Sequence, residues 1–242
     1  MQKLNIALLG YGRMGKAIEK IAISRSHTIV YKTSDTPELT ELKKADIAID
    51  FSIPTAAFEN IKCCLEHNIP VISGTTGWLE NYAEAEKICA KNQGSFLYAS
   101  NFSLGVNLFF ELNQKLAHFM QAFDNYNVSI EEIHHTKKLD KPSGTAISLA
   151  EGIINNHQSY DQWKLEEKNA VQNTNIPIIA KRIPDVPGTH HVKYTSNIDE
   201  IEIKHTAHSR EGFALGAVVA AEYTYNKKGI FSMRDVLQID KL

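Results

Sequence analysis

The sequence predicts an α/β protein in which a parallel sheet covered by helices is joined to a second, α+β domain with a mixed sheet. Strand-like and helical segments alternate through residues 1–100, which indicates a parallel sheet covered on both faces. That alternation stops at residues 100–107. Later strand-like segments alternate polar and apolar residues, which is typical of a sheet with one buried face and one solvated face.

Length and composition are those of a globular protein. The chain has 242 residues, 43% of them hydrophobic and 22% charged, with a net charge of −2. This charge argues against a nucleic-acid partner, and no apolar run is long enough for a membrane span. The sequence begins without the pattern of a secretory signal. Cys63, Cys64 and Cys89 lack the spacing of a disulfide framework or a zinc site, so we expect a reducing cytoplasm.

A glycine-rich turn follows the first predicted strand at residues 4–9 and precedes a predicted helix at residues 16–24. It reads Gly10-Tyr11-Gly12-Arg13-Met14-Gly15. A Gly-x-Gly-x-x-Gly turn in this context is typical of a Rossmann-type dinucleotide site. The first glycine permits a tight turn, the second lets a pyrophosphate approach the backbone, and the third lets helix and strand pack closely.

The next predicted strand, at residues 28–32, is expected to lie near the adenosine ribose of a dinucleotide. It ends at Lys32 rather than at a carboxylate. Lys32 could hold the 2′-phosphate of NADPH, which favours NADPH slightly over NADH. A solvent-exposed lysine without a ligand is the competing interpretation.

The rest of the first domain repeats the same alternation. A short connector at 37–44 precedes strands at 46–51, 71–73 and 95–99 and helices at 52–67 and 79–92. Gly74, Thr75 and Thr76 follow a strand and can line a cofactor crevice. The chain is expected to cross into the second domain at residues 101–103.

The second domain is predicted to combine helices with alternating strands. Helices are expected at 105–122 and 146–155, strands at 127–133, 176–182, 191–196 and 200–207, and a polar stretch without a strong period at 156–175. An apolar helix at 213–225 returns the chain to the first domain, which residues 228–237 complete. The predicted domains are therefore 1–103 with 213–242, and 104–212.

The segment from Glu132 to Ala146 concentrates chemistry-bearing residues. It reads Glu-Ile-His-His-Thr-Lys-Lys-Leu-Asp-Lys-Pro-Ser-Gly-Thr-Ala and joins a strand to a helix. Lysines, histidines and the free N–H groups of a helix start suit a small anionic substrate that receives a proton. His134 and His135 would point to opposite faces of a strand, so chemistry alone does not decide which one is the acid.

The other histidines of the second domain are expected to be structural, and His190 is the one expected nearest to substrate. No metal site is predicted, because the histidines show no carboxylate or cysteine at the spacing of a common metal site.

Together, six stretches resemble the dihydrodipicolinate reductase (4-hydroxy-tetrahydrodipicolinate reductase) family over nearly the whole chain. They are Gly10–Gly15, Asp50-Phe51-Ser52, Gly74-Thr75-Thr76-Gly77, and residues 100–107, 132–146 and 205–216. The segment at 132–146 is very specific to that family.

The resemblance implies NAD(P)H-dependent reduction of 4-hydroxy-tetrahydrodipicolinate, through dihydrodipicolinate, to tetrahydrodipicolinate, in lysine and diaminopimelate biosynthesis. The substrate is then a small cyclic imine with two carboxylates, and the second domain builds a homotetramer. His134 is implied as general acid or base, and Lys138 as the second proton-donating or charge-stabilising group. The implied substrate contacts are His135, Gly144 and Thr145. The implied nucleotide contacts are Gly10, Tyr11, Gly12, Arg13, Met14, Gly15, Gly74, Thr75, Thr76, Ala99, Ser100, Asn101 and Phe102, with Lys32 near the ribose.

Two positions depart from the family pattern. An acidic residue often stands where this chain has Lys32, and Ile183-Pro184 follows Arg182 where a glycine is usual. Two other functions stay open: another NAD(P)-dependent amino- or keto-acid dehydrogenase, and a non-catalytic nucleotide-binding protein. The segment at 132–146 argues against another dehydrogenase. A non-catalytic nucleotide-binding protein would leave the histidines and lysines of that segment without a function.

Overall fold

A six-stranded parallel sheet is the centre of the first of two units in the computed structural model, which describes residues 2–166 and 174–239. Its strands are β1 (Asn5–Leu9), β2 (Thr28–Thr33), β3 (Ile47–Asp50), β4 (Val71–Ser73), β5 (Ser95–Tyr98) and β11 (Gly229–Phe231). They lie in the order β11-β5-β4-β3-β1-β2. The order reverses between β1 and β3, and ligands of such sheets bind at this switch point, outside the carboxyl ends of the strands.

Helices cover both faces of this sheet. They are α1 (Arg13–Ser24), α2 (Leu39–Leu42), α3 (Pro54–Glu66), α4 (Tyr82–Lys91), α7 (Glu211–Thr224) and α8 (Met233–Val236). Alternate residues of β1 face opposite sides: Ile6 and Leu8 pack with α1 and α7, whereas Ala7 and Leu9 pack with α3 and α4. Burial on both faces explains why these strands read as continuous apolar runs.

The second unit, Leu108–Ser209, contains a five-stranded mixed sheet. Its strands are β6 (Asn127–His134), β7 (Gln162–Glu166), β8 (Asn175–Arg182), β9 (Gly188–Thr195) and β10 (Glu200–Ala207), in the order β10-β9-β6-β8-β7. The β6–β8 and β7–β8 pairs are parallel, and the β6–β9 and β9–β10 pairs are antiparallel. The predicted fold class, a Rossmann-type parallel sheet plus a mixed-sheet α+β domain, is confirmed.

One face of the mixed sheet is buried under helices, and the other carries charged side chains. Residues of α5 (Leu104–Met120) and α6 (Gly144–Ile154) pack against Ile130, Ile178 and Val192. The opposite face carries ion pairs, among them Glu131 with Lys181. This is the one-sided burial that the alternating sequence pattern predicts.

Several predicted boundaries were wrong. The polar stretch at 156–175 contains the edge strand β7, and residues 167–173 of that stretch lie outside the described part of the chain. The connector at 37–44 contains the short helix α2. Strand β9 begins at Gly188 rather than at residue 191, so it includes His190. Helix α6 begins at Gly144, because Ser143 caps it.

Among the described residues, no helix combines the length and apolar character that a membrane span requires.

Candidate active site

The glycine-rich turn joins β1 to α1. Gly10 has φ +92°, and a Cβ there would lie 2.2 Å from the carbonyl oxygen of Phe51. A Cβ on Gly15 would lie 2.3 Å from the carbonyl oxygen of Gly10, so strand and helix meet at backbone distance. A Cβ on Gly12, in contrast, would meet nothing within 4 Å. The turn therefore leaves open space beside a helix N-terminus, which fits a pyrophosphate group.

Asp50, at the end of β3, ties together the loops that follow β3 and β4. Its buried carboxylate accepts hydrogen bonds from Ser52 Oγ (2.7 Å) and Thr75 Oγ1 (2.7 Å), and Thr75 Oγ1 in turn accepts the Ser52 N–H (2.9 Å). Burial raises the pKa of Asp50 although these hydroxyl groups oppose the shift. Sequence reasoning quoted Asp50 but missed this role. The sequence does contain a signal for this role, because a carboxylate at the end of an otherwise apolar strand must find hydrogen-bond donors if it is buried.

The other predicted nucleotide residues also follow parallel strands of this sheet. Thr75 and Thr76 follow β4, and Ala99 to Phe102 follow β5. Phe102 is 1% exposed, and a Cβ on Gly216 of α7 would lie 1.6 Å from the Phe102 carbonyl oxygen. The segment after β5 is thus held by close backbone packing at the same sheet edge as the glycine turn.

Lys32 does not stand free at the end of β2. Its ammonium nitrogen lies 3.0 Å from Glu19 Oε1 and 3.1 Å from the Tyr11 hydroxyl. The Tyr11 hydroxyl also donates a hydrogen bond to Glu19, and together with Lys32 it lowers the pKa of Glu19. Sequence reasoning missed Glu19, because its spacing to Lys32 follows from the packing of α1 on β2.

In the second unit, β6 ends at His134 and the turn brings Lys138 and Asp140 together. Lys138 Nζ lies 2.7 Å from Asp140 Oδ2, and the Lys138 N–H donates to the His135 carbonyl at 3.1 Å. His135 is half-buried, whereas the side chain of His134 is 9% exposed. The turn therefore holds an ammonium group and two imidazoles within one short segment.

The start of α6 completes this segment. Ser143 is the N-cap, and its hydroxyl accepts the Ala146 N–H at 3.2 Å, a cap worth about 1 kcal/mol. Gly144 is exposed, and a Cβ there would meet nothing within 4 Å. The first N–H groups of a helix have no intrahelical partner, so Gly144 and Thr145 offer donors to an anion.

A buried carboxylate, Glu132, lies beside His134 and was missed as a site residue. Its Oε2 atom is 2.7 Å from His134 Nδ1, and its Oε1 atom accepts bonds from Arg182 (3.1 Å) and from the Ser143 N–H (3.1 Å). The signal was present in β6, because Val128 and Ile130 face the core and Glu132 and His134 continue that face at spacing two.

Opposing effects act on the two buried neighbours of His134. Burial alone raises the pKa of Glu132, but contacts from His134, Ser143 and Arg182 outweigh it and lower the pKa to about 2. Burial, together with the charge of His134, lowers the pKa of His190 to about 3. At neutral pH the carboxylate is therefore ionised and His190 is neutral.

The premise behind the predicted absence of a metal was wrong for two histidines. Glu132, His134 and His190 place one ligand atom each within 4.8 Å of one another. Both histidines therefore do have a carboxylate neighbour: Glu132 lies two residues before His134 on β6 and opposite His190 on the paired strand β9. Glu132 Oε2 and His134 Nδ1 also lie 2.7 Å apart as an ion pair, a contact that requires no metal ion.

We expect His190 to make the folded state sensitive to acid. Its pKa is lower in the folded state than its ordinary value of about 6.5, so below pH 6.5 the unfolded chain binds the proton first. The free energy of unfolding should then fall by about 1.4 kcal/mol per pH unit towards pH 3 from this group alone. Glu132 adds a slope of the same sign only below about pH 4.5, where the unfolded carboxylate takes up a proton and the folded one does not, because its folded pKa is about 2.

Urea unfolding at pH 7 and pH 5 measures this effect. The His190→Gln variant should lose about 2 kcal/mol less than the wild type over that interval. The matched control is His118→Gln, which removes an exposed histidine of α5 and should keep the wild-type dependence. An unchanged pH dependence in His190→Gln would show that His190 is not held neutral.

The Rossmann-type sheet with its open glycine turn, and the mixed sheet with an imidazole and an ammonium group that are each paired with a carboxylate, are the features of an NAD(P)H-dependent oxidoreductase. A family model described as "Dihydrodipicolinate reductase, N-terminus" matches residues 4–102, and one described as "Dihydrodipicolinate reductase, C-terminus" matches residues 105–237. The chain belongs to the dihydrodipicolinate reductase family.

Curated relatives and a solved structure agree with this membership. The chain is 60% identical to a 4-hydroxy-tetrahydrodipicolinate reductase from Christiangramia forsetii, over 97% of this chain and 98% of the relative. It is 33% identical to the enzyme of the same name from Thermosipho africanus, with the same coverage. A dipicolinate-bound dihydrodipicolinate reductase from a Paenisporosarcina species has a TM-score of 0.77 at 23% identity, covering 96% of this chain and 98% of that one, and supports the fold.

Proposed function

We propose that this protein reduces 4-hydroxy-tetrahydrodipicolinate, through dihydrodipicolinate, to tetrahydrodipicolinate with NADH or NADPH, a step of lysine and diaminopimelate biosynthesis. The observation that carries the proposal is the segment Glu132 to Ala146. It combines a carboxylate-paired imidazole, an ammonium group and an open helix start. Those three features serve a dianionic ring that must gain a proton.

In this proposal the start of α6 binds one carboxylate of the substrate. The N–H groups of Gly144 and Thr145 donate to it, and the open space beside Gly144 leaves room for it. His135 contacts the ring or its second carboxylate from the half-buried position after β6. Anion binding at a helix N-terminus is favoured by its dipole as well as by its donors.

His134 and Lys138 act on the reacting atoms. Loss of water from the hydroxylated ring gives a conjugated imine, and addition of hydride at the carbon remote from nitrogen moves negative charge towards the nitrogen. Lys138 and protonated His134 stabilise that charge, and a proton delivered from this pair completes the reduction. Asp140 holds the Lys138 ammonium at 2.7 Å, which restricts where it can point.

The glycine turn and the loops after β4 and β5 hold the dinucleotide. A reduced nicotinamide supplies the hydride when bound. Gly12 leaves the space beside the α1 N-terminus for the pyrophosphate, and Arg13 and Met14 begin that helix. The Asp50 network fixes Thr75 within the loop that follows β4, so the crevice is formed before the nucleotide arrives.

Lys32 gives only a weak preference for NADPH in this proposal, because Glu19 already pairs with its ammonium group. Lys32→Gln should lower kcat/KM for NADPH about tenfold, the worth of one charge-assisted hydrogen bond, and change that for NADH much less. Glu19→Gln, the matched control, removes the competing carboxylate and should raise kcat/KM for NADPH. Equal changes for both nucleotides would place Lys32 away from the 2′-phosphate.

A homotetramer in the cytoplasm is the assembly and location we propose. The exposed side of α5 carries Leu108, Leu112 and Phe119, which are 47%, 51% and 65% exposed. An apolar stripe of this kind is typical of a subunit interface. Cys63, Cys64 and Cys89 are all free, which suits a reducing compartment. Light scattering at micromolar concentration measures the assembly directly.

Steady-state assays of NADH and NADPH oxidation test the reaction. With freshly prepared 4-hydroxy-tetrahydrodipicolinate, kcat/KM should reach at least about 10⁴ M⁻¹s⁻¹. Aspartate semialdehyde and keto acids with ammonia serve as the competing substrates of another dehydrogenase. Turnover of one of these in place of the cyclic substrate would contradict the proposal, and nucleotide binding without any turnover would favour a non-catalytic role.

A further inference from the structure

The carboxylate of Glu132 contacts residues of the candidate active site from three directions: His134, Ser143 and Arg182. The residue is 0% exposed. Its Oε1 atom accepts hydrogen bonds from both terminal nitrogens of Arg182 (3.1 Å each) and from the Ser143 N–H (3.1 Å). Its Oε2 atom lies 2.7 Å from His134 Nδ1 and 3.9 Å from His190 Nε2.

We propose that Glu132 is the positioning residue of the site: a single buried carboxylate that fixes the tautomer of His134 and holds the Lys138 turn and the α6 start beside it. This inference rests on the proposed function only for its kinetic consequence. Its structural part, the proton position on His134, can be measured in the protein without substrate or cofactor.

The carboxylate remains charged although it is fully buried. An unpaired buried carboxylate would take up a proton. Here the guanidinium of Arg182 meets Oε1 through two nitrogens, and the Ser143 N–H adds a third donor. A permanent negative charge is therefore available to Nδ1 of His134.

That charge decides which nitrogen of the neutral His134 ring carries the proton. Nδ1 lies at ion-pair distance, 2.7 Å, from Glu132 Oε2, and an unprotonated Nδ1 would bring its lone pair against the negative carboxylate, so the proton is favoured on Nδ1. Nδ1 is then protonated, and Nε2 is the nitrogen that exchanges a proton with substrate. Gly188 leaves room for that edge of the ring, since a Cβ on Gly188 would lie 3.0 Å from Nε2.

Arg182 links the Glu132 carboxylate to the turn that carries Lys138. One terminal nitrogen donates to the Asp140 carbonyl at 2.6 Å, and Nε donates to the Lys138 carbonyl at 3.3 Å. Ser143, bound to Glu132 through its N–H, caps α6. One carboxylate thus connects the proposed acid, the proposed ammonium group and the anion-binding helix start.

Charged and titratable groups face the Glu132–His134 pair from each neighbouring element. His190 faces it from β9, Arg182 from β8, and Lys138 with Asp140 from the turn, while His205 of β10 acts on His190. The His134 and His190 rings lie 5.0 Å apart, so two adjacent positive charges are disfavoured. His190, neutral and 3.2 Å from Ser143 Oγ, leaves the exchangeable proton on His134.

Nitrogen-15 NMR of histidine-labelled wild-type protein at pH 8 tests the tautomer directly. His134, assigned by comparison with His134→Gln, should show a protonated Nδ1 and an unprotonated Nε2. A neutral ring protonated at Nε2 would overturn the inference, whatever reaction the protein catalyses.

The kinetic test is Glu132→Gln, with Glu131→Gln as the matched control. Glu131 is the next residue on β6, faces the other side of the sheet and pairs with Lys181. Glu132→Gln should lower kcat about 10²-fold and increase the fraction of His134 rings protonated at Nε2 in the nitrogen-15 spectrum at pH 8, because Nδ1 no longer faces a charged carboxylate. Glu131→Gln should leave both unchanged.

A kcat loss without a change in the His134 tautomer would mean that Glu132 is merely structural and would overturn the inference, as would wild-type kinetics. Thermal melting shows whether Glu132→Gln is folded. If it is not, Glu132→Asp, which keeps the charge, replaces it and should retain the wild-type tautomer of His134 with a reduced kcat. An Nε2-protonated His134 in the aspartate variant would also count against the inference.

Discussion

His134→Gln is expected to lower kcat by about 10² to 10⁴-fold, the usual contribution of a correctly placed general acid. Lys138→Met, which keeps the apolar stem of the side chain and removes its ammonium group, should cause a loss of the same order. The reason is that both positive groups stabilise charge that develops only during hydride addition. The dissociation constants of NADH and NADPH, measured by fluorescence, should change little.

Two histidine controls separate catalysis from a general effect on the fold. His191 follows His190 on β9, and its side chain pairs with Glu202 on the charged face of the sheet. His191→Gln should therefore leave kcat unchanged. His135→Gln should raise KM for the cyclic substrate more than it lowers kcat, because His135 is proposed to bind rather than to transfer the proton. If His135→Gln lost turnover and His134→Gln kept it, the two roles would have to be exchanged.

Gly12→Val is expected to weaken nucleotide binding about 10²-fold while the protein stays folded. A Cβ at Gly12 meets nothing within 4 Å in the protein, and its backbone φ of −81° suits any residue. The added methyl groups would fill the space proposed for the pyrophosphate, so the nucleotide would lose its hydrogen bonds to the turn and to the start of α1. Isothermal titration with NADPH and NADH measures the loss.

Gly15→Ala is the matched comparison within the same turn. Its Cβ would lie 2.3 Å from the Gly10 carbonyl oxygen, so it should lower the melting temperature as well as nucleotide affinity. If Gly12→Val melted early while Gly15→Ala did not, the space at Gly12 would have to be reassigned to packing.

The first unit could be predicted well because its signals are local. The glycine turn, the apolar strands and the small-residue loops are each visible within a few consecutive residues. What could not be predicted is the pairing between distant positions. Glu19 meets Lys32, and Ser73 with Asn60 meets Asp50, only because strands and helices fold together.

The second unit shows the same limit at its site. The segment Glu132 to Ala146 marks the turn and the helix start, yet the roles of Arg182 and His190 depend on strand register. Residue 134 pairs with Arg182 across β6 and β8, and residue 132 pairs with His190 across β6 and β9. Strand β7 was missed because a short, half-exposed edge strand has a weak pattern.

A crystal structure of the protein with pyridine-2,6-dicarboxylate and an oxidised nicotinamide dinucleotide tests the central claim most directly. One carboxylate should accept the N–H groups of Gly144 and Thr145 at about 3 Å, with His134 Nε2 and the Lys138 ammonium facing the ring. A dicarboxylate bound away from the α6 start, or a His134 ring turned from it, would contradict the account.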